Sequence, residues 1–199
     1  DSYLSEIFNS SNGLVPSKDW KKEKYGRIWT KTDTIVTSIG QGFALASPLQ
    51  LAVMVSRIAA NGKKIIPTII KQSSSINNEN NYVDSLNKDG LSLIKKGMYD
   101  AVNSSIGTAY YSRTNNPEKL MCGKTATSQV RRISMQEREE GIKKNEDLPR
   151  NQRDHALFVG YFPHKKPKYG FCVVVEHGGS GSKSAAPIAK DLCNKLNII

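Results

Sequence analysis

Four consecutive residues near the middle of the chain, Lys124-Thr125-Ala126-Thr127, offer the richest chemistry in the sequence. If they lie on a β-strand, Lys124 and Ala126 share one face, because side chains alternate along a strand. Thr125 and Thr127 then share the other face. At the border of a cleft, such a strand presents a cation, two hydroxyls and a row of main-chain N–H donors. This set suits a substrate with a carboxylate and a carbonyl that becomes an oxyanion. The alternative is an ordinary strand with surface Lys and Thr side chains.

Two glycine-containing segments resemble phosphate-binding loops in part. Gly123-Lys124-Thr125 has the end of a P-loop, but that motif also needs a glycine five positions before Gly123, where this chain has Glu118. A Walker A site is therefore excluded. The second segment, Gly178-Gly179-Ser180-Gly181-Ser182, lies between a predicted strand and a predicted helix, where backbone N–H groups could bind an anion. It lacks the third glycine of G-x-G-x-x-G, so a plain flexible connection is favoured.

The cysteines and histidines do not have the spacing of metal ligands. Cys122, Cys172 and Cys193 lie far apart and form no C-x-x-C arrangement. This argues against a zinc site, and the odd count leaves at least one thiol free. We predict no metal and no cofactor.

The net charge is strongly positive, which first suggests a nucleic-acid or anionic partner. The 199 residues include 29 Lys+Arg and 18 Asp+Glu, a formal charge of +11. The basic residues are spread out, however, and the clusters at 18–31 and 165–168 are not interleaved with aromatic stacking residues. We interpret the charge as a solvated surface and predict no nucleic-acid partner. No apolar run approaches the roughly 18 residues of a membrane span, so we predict a soluble chain.

The elements that must position the motif follow from caps and apolar periodicity. Ser47 followed by Pro48 predicts a helix that ends at Asn61-Gly62. Further helices are predicted at 88–102 and 184–196, and strands at 120–130, 156–162 and 169–176, the last two joined as an antiparallel hairpin. Together they predict an α+β fold with an antiparallel sheet on which the C-terminal helix packs.

The remaining segments are predicted to be irregular. Residues 1–30 are predicted to form a long irregular segment anchored by two Trp, and 72–81 an exposed loop. Residues 131–153 mix both charges with few apolar residues, which predicts an exposed, mobile loop at the end of the motif strand. We expect 1–199 to be one domain or part of one, and a piece of a longer product.

The flanks of the motif match a protein family. The matching residues are, in order, Gly13-Leu14-Val15-Pro16, Trp20-Lys21, Trp29, Asp33-Thr34, Ser38-Ile39-Gly40-Gln41-Gly42, Pro48-Leu49-Gln50-Leu51-Ala52, Gly107-Thr108-Ala109, 123–130, Asp154-His155-Ala156, Phe158, Gly160-Tyr161, Pro163, Glu176-His177-Gly178-Gly179 and Ala186-Pro187-Ile188-Ala189. Over essentially its whole length the chain resembles the C-terminal part of the transpeptidase domain of the penicillin-binding protein 2 family, the cell-elongation D,D-transpeptidases. Ile39-Gly40-Gln41-Gly42 favours these over their cell-division counterparts.

This resemblance implies a partial penicillin-binding, serine β-lactamase-like transpeptidase domain and assigns roles to the motif. The family builds its site from S-x-x-K, S-x-N and K-T-G, and Lys124-Thr125-Ala126 occupies the third place. Lys124 would supply positive charge near the serine of the second motif. Thr125 and Thr127 would hold the terminal carboxylate of a D-Ala-D-Ala stem peptide or a β-lactam, and the N–H of Thr127 would be half of the oxyanion hole. Ala126 stands where the family usually has glycine, so its methyl could crowd the substrate or touch a neighbouring element.

The resemblance places the first two motifs upstream of Asp1. S-x-x-K also occurs at Ser85 and Lys88, Ser92 and Lys95, and Ser180 and Lys183, and S-x-N at Ser10, Ser75 and Ser85. We interpret all of these as chance matches, because none has the family's order and flanks.

The whole protein that would carry this chain, called the parent, is then expected to be a serine acyl-transferase of the bacterial inner membrane with a periplasmic catalytic domain. It would crosslink stem peptides, bind β-lactams and work with a membrane glycosyltransferase. The chain alone, without the upstream part of the same domain, is expected to be inactive. The alternative is a non-catalytic binding or interaction module, such as a split-gene half that needs a partner chain.

Overall fold

The computed structural model describes residues 13–68, 82–83, 87–131 and 133–196. The chain divides into two compact units, 1–50 and 51–199. The loop predicted at 72–81 lies outside the described residues, as do Ser10, Ser75 and Ser85 of the chance matches. That the whole chain belongs to a single domain stays a prediction.

Two short helices in the first unit were not predicted from the sequence. Helix α1 (Lys18–Tyr25) begins at Ser17, whose hydroxyl accepts a hydrogen bond from the Trp20 N–H at 3.1 Å, and ends at Gly26 with φ 63°. Helix α2 (Lys31–Ser38) begins with a capping box between Thr30 and Asp33. The prediction that 1–30 is irregular is therefore wrong for α1. Local caps stabilise a polar helix of eight residues that has almost no apolar periodicity to reveal it.

An aromatic cluster and an ion pair hold this unit together. The rings of Trp20, Tyr25 and Phe43 lie 5.2 to 5.7 Å apart between centroids, which confirms the aromatic anchor at Trp20. The Lys21 ammonium, on a residue only 8% exposed, lies 2.5 Å from the Asp33 carboxylate. This hydrogen bond, with others from Thr30, lowers the pKa of Asp33 to about 2. Lys21 is thus a structural lysine, because its charge is matched inside the unit.

Helix α3 (Pro48–Ala59) confirms the prediction made from its caps. The Ser47 N–H donates to Gln50 Oε1 at 2.8 Å, and the Gln50 N–H donates to Ser47 Oγ at 3.2 Å. These two bonds form a reciprocal capping box. Asn61 and Gly62, with φ 54° and 86°, follow the helix in the left-handed region, as the Asn-Gly pair predicted.

The second unit is built on a three-stranded antiparallel sheet within the described ranges. Strands β1 (Cys122–Ser128), β2 (His155–Phe162) and β3 (Tyr169–Val175) follow one another in the order β1-β2-β3. The predicted hairpin between the last two strands is confirmed. Because β2 lies in the centre, β1 forms an edge of this sheet.

Helices cover the sheet and bury its central strand on both sides. Helix α6 (Ala186–Lys195) contributes Ala186, Ala189 and Cys193 to a buried cluster with Phe158 and Phe162, which confirms the C-terminal helix on the sheet. A second cluster joins Tyr161 and Cys122 to Val55 of α3 and to Met98 of α4 (Lys88–Asn103). Phe158 and Tyr161 differ by an odd number of positions, so they occupy opposite faces of β2. No helix within the described ranges is long and apolar enough to span a bilayer.

The predicted loop at 131–153 contains local structure. Helix α5 (Met135–Glu140) and the 3₁₀ turns Asn145–Asp147 and Arg150–Gln152 lie in it. The Arg131 guanidinium donates to both carboxylate oxygens of Glu137 at 2.6 and 2.5 Å, and Leu148 is buried. Most other described residues of the segment are exposed. Its mobility stays a prediction.

Candidate functional site

The four motif residues lie on consecutive positions of the edge strand β1. Lys124 pairs with Val159 of β2, Thr125 with Phe158, Ala126 with Leu157 and Thr127 with Ala156. Residues that face each other across two strands point to the same side of the sheet, so the predicted alternation holds in this register. Lys124, Ala126 and Thr127 are exposed, and Thr125 is half-buried. The motif is therefore accessible on the strand that the sequence predicted.

The beginning of β1 is anchored in the core, and this anchor positions the motif. Met121 and Cys122 are fully buried. A Cβ atom added at Gly123 would lie 2.3 Å from the Phe158 ring and 2.7 Å from the Val159 carbonyl oxygen, closer than real contacts allow. Glycine at this position lets β1 pack closely against β2. This close packing fixes the position of the motif residues that follow along the strand.

A cavity of about 920 Å³ adjoins the motif. Lys124, Val159 and Thr108 contribute to its wall, and the rest is largely apolar, with Met54, Ile58, Ile94, Met98 and Ile106 among its lining residues. The Lys124 ammonium donates to the Thr125 carbonyl oxygen at 2.5 Å. Among the described residues Lys124 forms no ion pair. Its charge is consequently available to an anionic ligand.

A second threonine, Thr108, meets the motif from outside the strand. Its Oγ1 lies 3.3 Å from Thr125 Oγ1. In the sequence, Gly107-Thr108-Ala109 was notable only as part of the family resemblance, and Thr108 had no predicted role. No spacing rule connects positions 108 and 125, so only the tertiary structure shows that they touch.

The segment after β3 is ordered against the motif strand. The Gly179 N–H donates to the Asp154 carbonyl oxygen at 2.8 Å, and Ser184 Oγ donates to the Gly178 carbonyl oxygen at 2.6 Å. A Cβ atom at Gly181 would lie 2.6 Å from the Ala126 carbonyl oxygen. The favoured interpretation of this segment as a plain flexible connection is thus replaced by a turn and the π-helix Gly181–Ala185, which lead into α6.

Polar residues near the end of β1 hold the neighbouring turns. Asp154 accepts hydrogen bonds from the Val130 N–H at 3.2 Å and from Asn145 Nδ2 at 3.0 Å. The His177 N–H donates to His155 Nδ1 at 2.9 Å, and His177 Nδ1 donates to the Arg153 carbonyl oxygen at 2.9 Å. Asp154 and the two histidines therefore stabilise the turns around the end of β1. No local pattern in the sequence predicted this role.

In the two S-x-x-K matches that the structure describes, the lysine contacts groups other than the serine of its own match. The Lys95 ammonium donates to Asn61 Oδ1 at 2.8 Å and to the Ala59 carbonyl oxygen at 3.3 Å. Lys183 pairs with Glu146, and Ser180 Oγ lies 3.0 Å from Ser182 Oγ. These contacts agree with the interpretation of both pairs as chance matches, because each lysine ammonium is engaged by groups other than its serine.

The three cysteines are free thiols, of which Cys122 and Cys193 are buried and Cys172 is half-buried. Burial raises the pKa of Cys122 and of Cys172 to about 11, and that of Cys193 to about 12. They are protonated at neutral pH and so are poor nucleophiles and ligands. Within the described ranges no group of three or more His, Cys, Asp or Glu residues could hold a metal ion.

Known proteins are similar to this chain over most of its length. The chain is similar to the peptidoglycan D,D-transpeptidases MrdA of Haemophilus influenzae (33% identical over 197 residues) and Acinetobacter baumannii (34% over 194 residues). These matches cover 93% and 92% of the chain, but the chain spans only 29% and 28% of the two relatives.

Solved structures show the same likeness. The PBP2 of Pseudomonas aeruginosa, in complex with WCK 5153, is 30% identical with a TM-score of 0.75, and the match covers 94% of this chain and 38% of that one. The PBP2 of Helicobacter pylori, in complex with MreC, is 34% identical with a TM-score of 0.74, over 92% of this chain and 31% of that one. Both likenesses confirm the predicted α+β transpeptidase fold.

A family model assigns nearly the whole chain. The model for the penicillin binding protein transpeptidase domain matches residues 5–194, which include every residue of the motif strand. The resemblance stated from the sequence is confirmed, and the chain belongs to the family of penicillin-binding protein transpeptidase domains.

Proposed function

We propose that this chain is part of a peptidoglycan D,D-transpeptidase of the PBP2 type, which crosslinks stem peptides through a serine acyl-enzyme and binds β-lactams. The observation that carries the proposal is the position of Lys124-Thr125-Ala126-Thr127 on an accessible edge strand beside a cavity. The names of the similar proteins support it.

The chain's own residues supply recognition and charge. Thr125 and Thr127 hydroxyls donate to the terminal carboxylate of D-Ala-D-Ala or to the carboxylate of a penicillin. The Thr127 N–H donates to the oxygen of the attacked carbonyl as negative charge develops on it, and Lys124 adds a preorganised positive charge. The exposure of Ala126 favours contact of its methyl with a ligand over burial against a neighbouring element.

The nucleophile is assigned to the upstream part of the same domain, where the family carries S-x-x-K and S-x-N. That serine attacks the penultimate D-Ala carbonyl and D-Ala leaves; the amine of a second stem peptide then resolves the ester. The chain alone is therefore expected to be inactive. We place the parent in the bacterial inner membrane with its catalytic domain in the periplasm, and we expect it to work with a membrane glycosyltransferase. The H. pylori PBP2 was solved in complex with MreC.

Labelling with a fluorescent penicillin tests the proposal. The parent is expected to form a stoichiometric adduct that survives denaturation, and the isolated chain is expected to form none. An adduct on the isolated chain, mapped by peptide mass analysis to Ser92 or Ser85, would relocate the site. A folded parent that forms no adduct would refute the proposed function.

A further inference from the structure

The short segment after α4 holds Thr108 firmly at the border of the cavity. The Gly107 N–H donates to the Ser104 carbonyl oxygen at 2.8 Å, and the Ala109 N–H donates to the Ala101 carbonyl oxygen at 2.9 Å. Ala109 is buried, and a Cβ atom at Gly107 would lie 2.4 Å from the Asp100 carbonyl oxygen. Thr108 is thus exposed between two residues whose backbone is fixed against α4, which is the arrangement that a positioning side chain needs.

The contact between Thr108 and Thr125 limits what each hydroxyl can donate. The two Oγ1 atoms lie 3.3 Å apart, and either could be the donor. A threonine hydroxyl carries one hydrogen and two acceptor lone pairs, whereas an ionised carboxylate only accepts. If Thr125 gave its hydrogen to Thr108, it would have none for a bound carboxylate. If Thr108 donates instead, the hydrogen of Thr125 is free for the ligand.

We propose that Thr108 is a positioning residue, whose hydroxyl donates to Thr125 Oγ1 and directs the Thr125 hydrogen towards the terminal carboxylate of the substrate. The inference rests on the proposed function, because it takes Thr125 as the group that binds the carboxylate. Donation to Thr125 also polarises its O–H bond and so strengthens the hydrogen bond to the ligand. Thr108 acts entirely through Thr125.

Acylation of the full-length parent by benzylpenicillin tests this role, with the second-order rate constant as the readout. Thr108→Val removes the hydroxyl and keeps the shape, and we expect it to slow acylation about 2- to 5-fold, within the range for one hydrogen bond between neutral groups and below the loss expected for Thr125→Val. Thr108→Ser keeps the hydroxyl and is expected to restore most of the rate. Ser105→Ala, at an exposed hydroxyl on the same segment, serves as the matched control. Circular dichroism and thermal unfolding verify that each variant folds.

A double-mutant cycle separates positioning from a merely structural role. In a Thr125→Val background, Thr108→Val is expected to cause no further loss, because the group through which it acts is gone. An equal loss in both backgrounds would overturn the inference, as would a Thr108→Val parent that is acylated at the wild-type rate. If the wild-type parent is not acylated at all, the proposed function itself fails. If the wild-type parent is acylated, and Thr125→Val slows this reaction while Thr108→Val does not, the role of Thr108 is refuted and the proposed function stands.

Discussion

Two lysines, one in each unit, show how the same side chain serves structure or chemistry. Lys21 is almost completely buried, and its ammonium meets the Asp33 carboxylate at 2.5 Å. Lys124 is exposed on an edge strand, and its ammonium donates to a backbone carbonyl oxygen. A charge that is matched inside the fold stabilises the fold, whereas an unmatched charge at a cavity can stabilise a ligand or a transition state. The difference lies in the neighbours, since both residues are lysine.

The largest expected effect tests this contrast directly. In the parent, Lys124→Ala is expected to slow acylation by penicillin about 100- to 1,000-fold, the loss typical of a preorganised electrostatic group. The free energy of unfolding should change by less than about 0.5 kcal/mol, as for exposed positions generally. Stopped-flow acylation and urea unfolding measure the two quantities.

Lys21→Ala is the matched control for that experiment. It leaves the Asp33 carboxylate without its partner, so we expect a lower midpoint of unfolding with an unchanged acylation rate per folded molecule. If Lys124→Ala destabilises the fold and is acylated normally, Lys124 is the structural lysine and the contrast is wrong.

The next effect concerns the hydroxyl beside Lys124. Thr125→Val in the parent is expected to lower the second-order rate constant of acylation by carboxylate-bearing penicillins about tenfold. One hydrogen bond to a charged group is lost, while the side chain keeps its shape. Thermal unfolding should stay close to that of the wild type. An unchanged rate would mean that the carboxylate is bound elsewhere.

The pH dependence of stability tests the structural role of the ion pair between Lys21 and Asp33. Asp33 has its pKa lowered from 3.8 to about 2, so its ionised form is favoured in the folded state. The stabilisation is fully present above about pH 4, near the unfolded pKa, and is lost as the pH falls towards 2. Urea unfolding of the parent between about pH 5 and pH 2 should therefore show a loss of stability that Asp33→Asn reduces. Identical pH profiles for the two proteins would contradict the assigned role of the ion pair.

The smallest effect concerns the departure from the family pattern. Ala126→Gly is expected to leave acylation unchanged or to raise it severalfold if the methyl meets the ligand, and to cost about 0.5–1 kcal/mol of stability from backbone entropy. Acylation rates and thermal unfolding test both parts. A tenfold slower variant would show that the methyl assists the site.

Predictions from the sequence succeeded where the signal was local. Ser47, Pro48 and the Asn61-Gly62 pair predicted the limits of α3, because capping and helix termination depend on residues within one turn. The three strands were predicted to within two residues at each end. Helix α1 was missed although Ser17 and Gly26 are good caps, since the sequence between them has little apolar periodicity.

By itself the sequence determined the chemistry available to this protein: the residue types of the motif, the strand that carries them and the order of flanking residues that indicates the family. Only the tertiary structure decided which charges and hydroxyls meet. Lys21 contacts Asp33, twelve positions away in the sequence, and Thr108 contacts Thr125, seventeen positions away. Neither contact follows from a helix or strand period, because each depends on how separate elements pack. That packing matches the charge of one lysine and leaves the other available to a ligand.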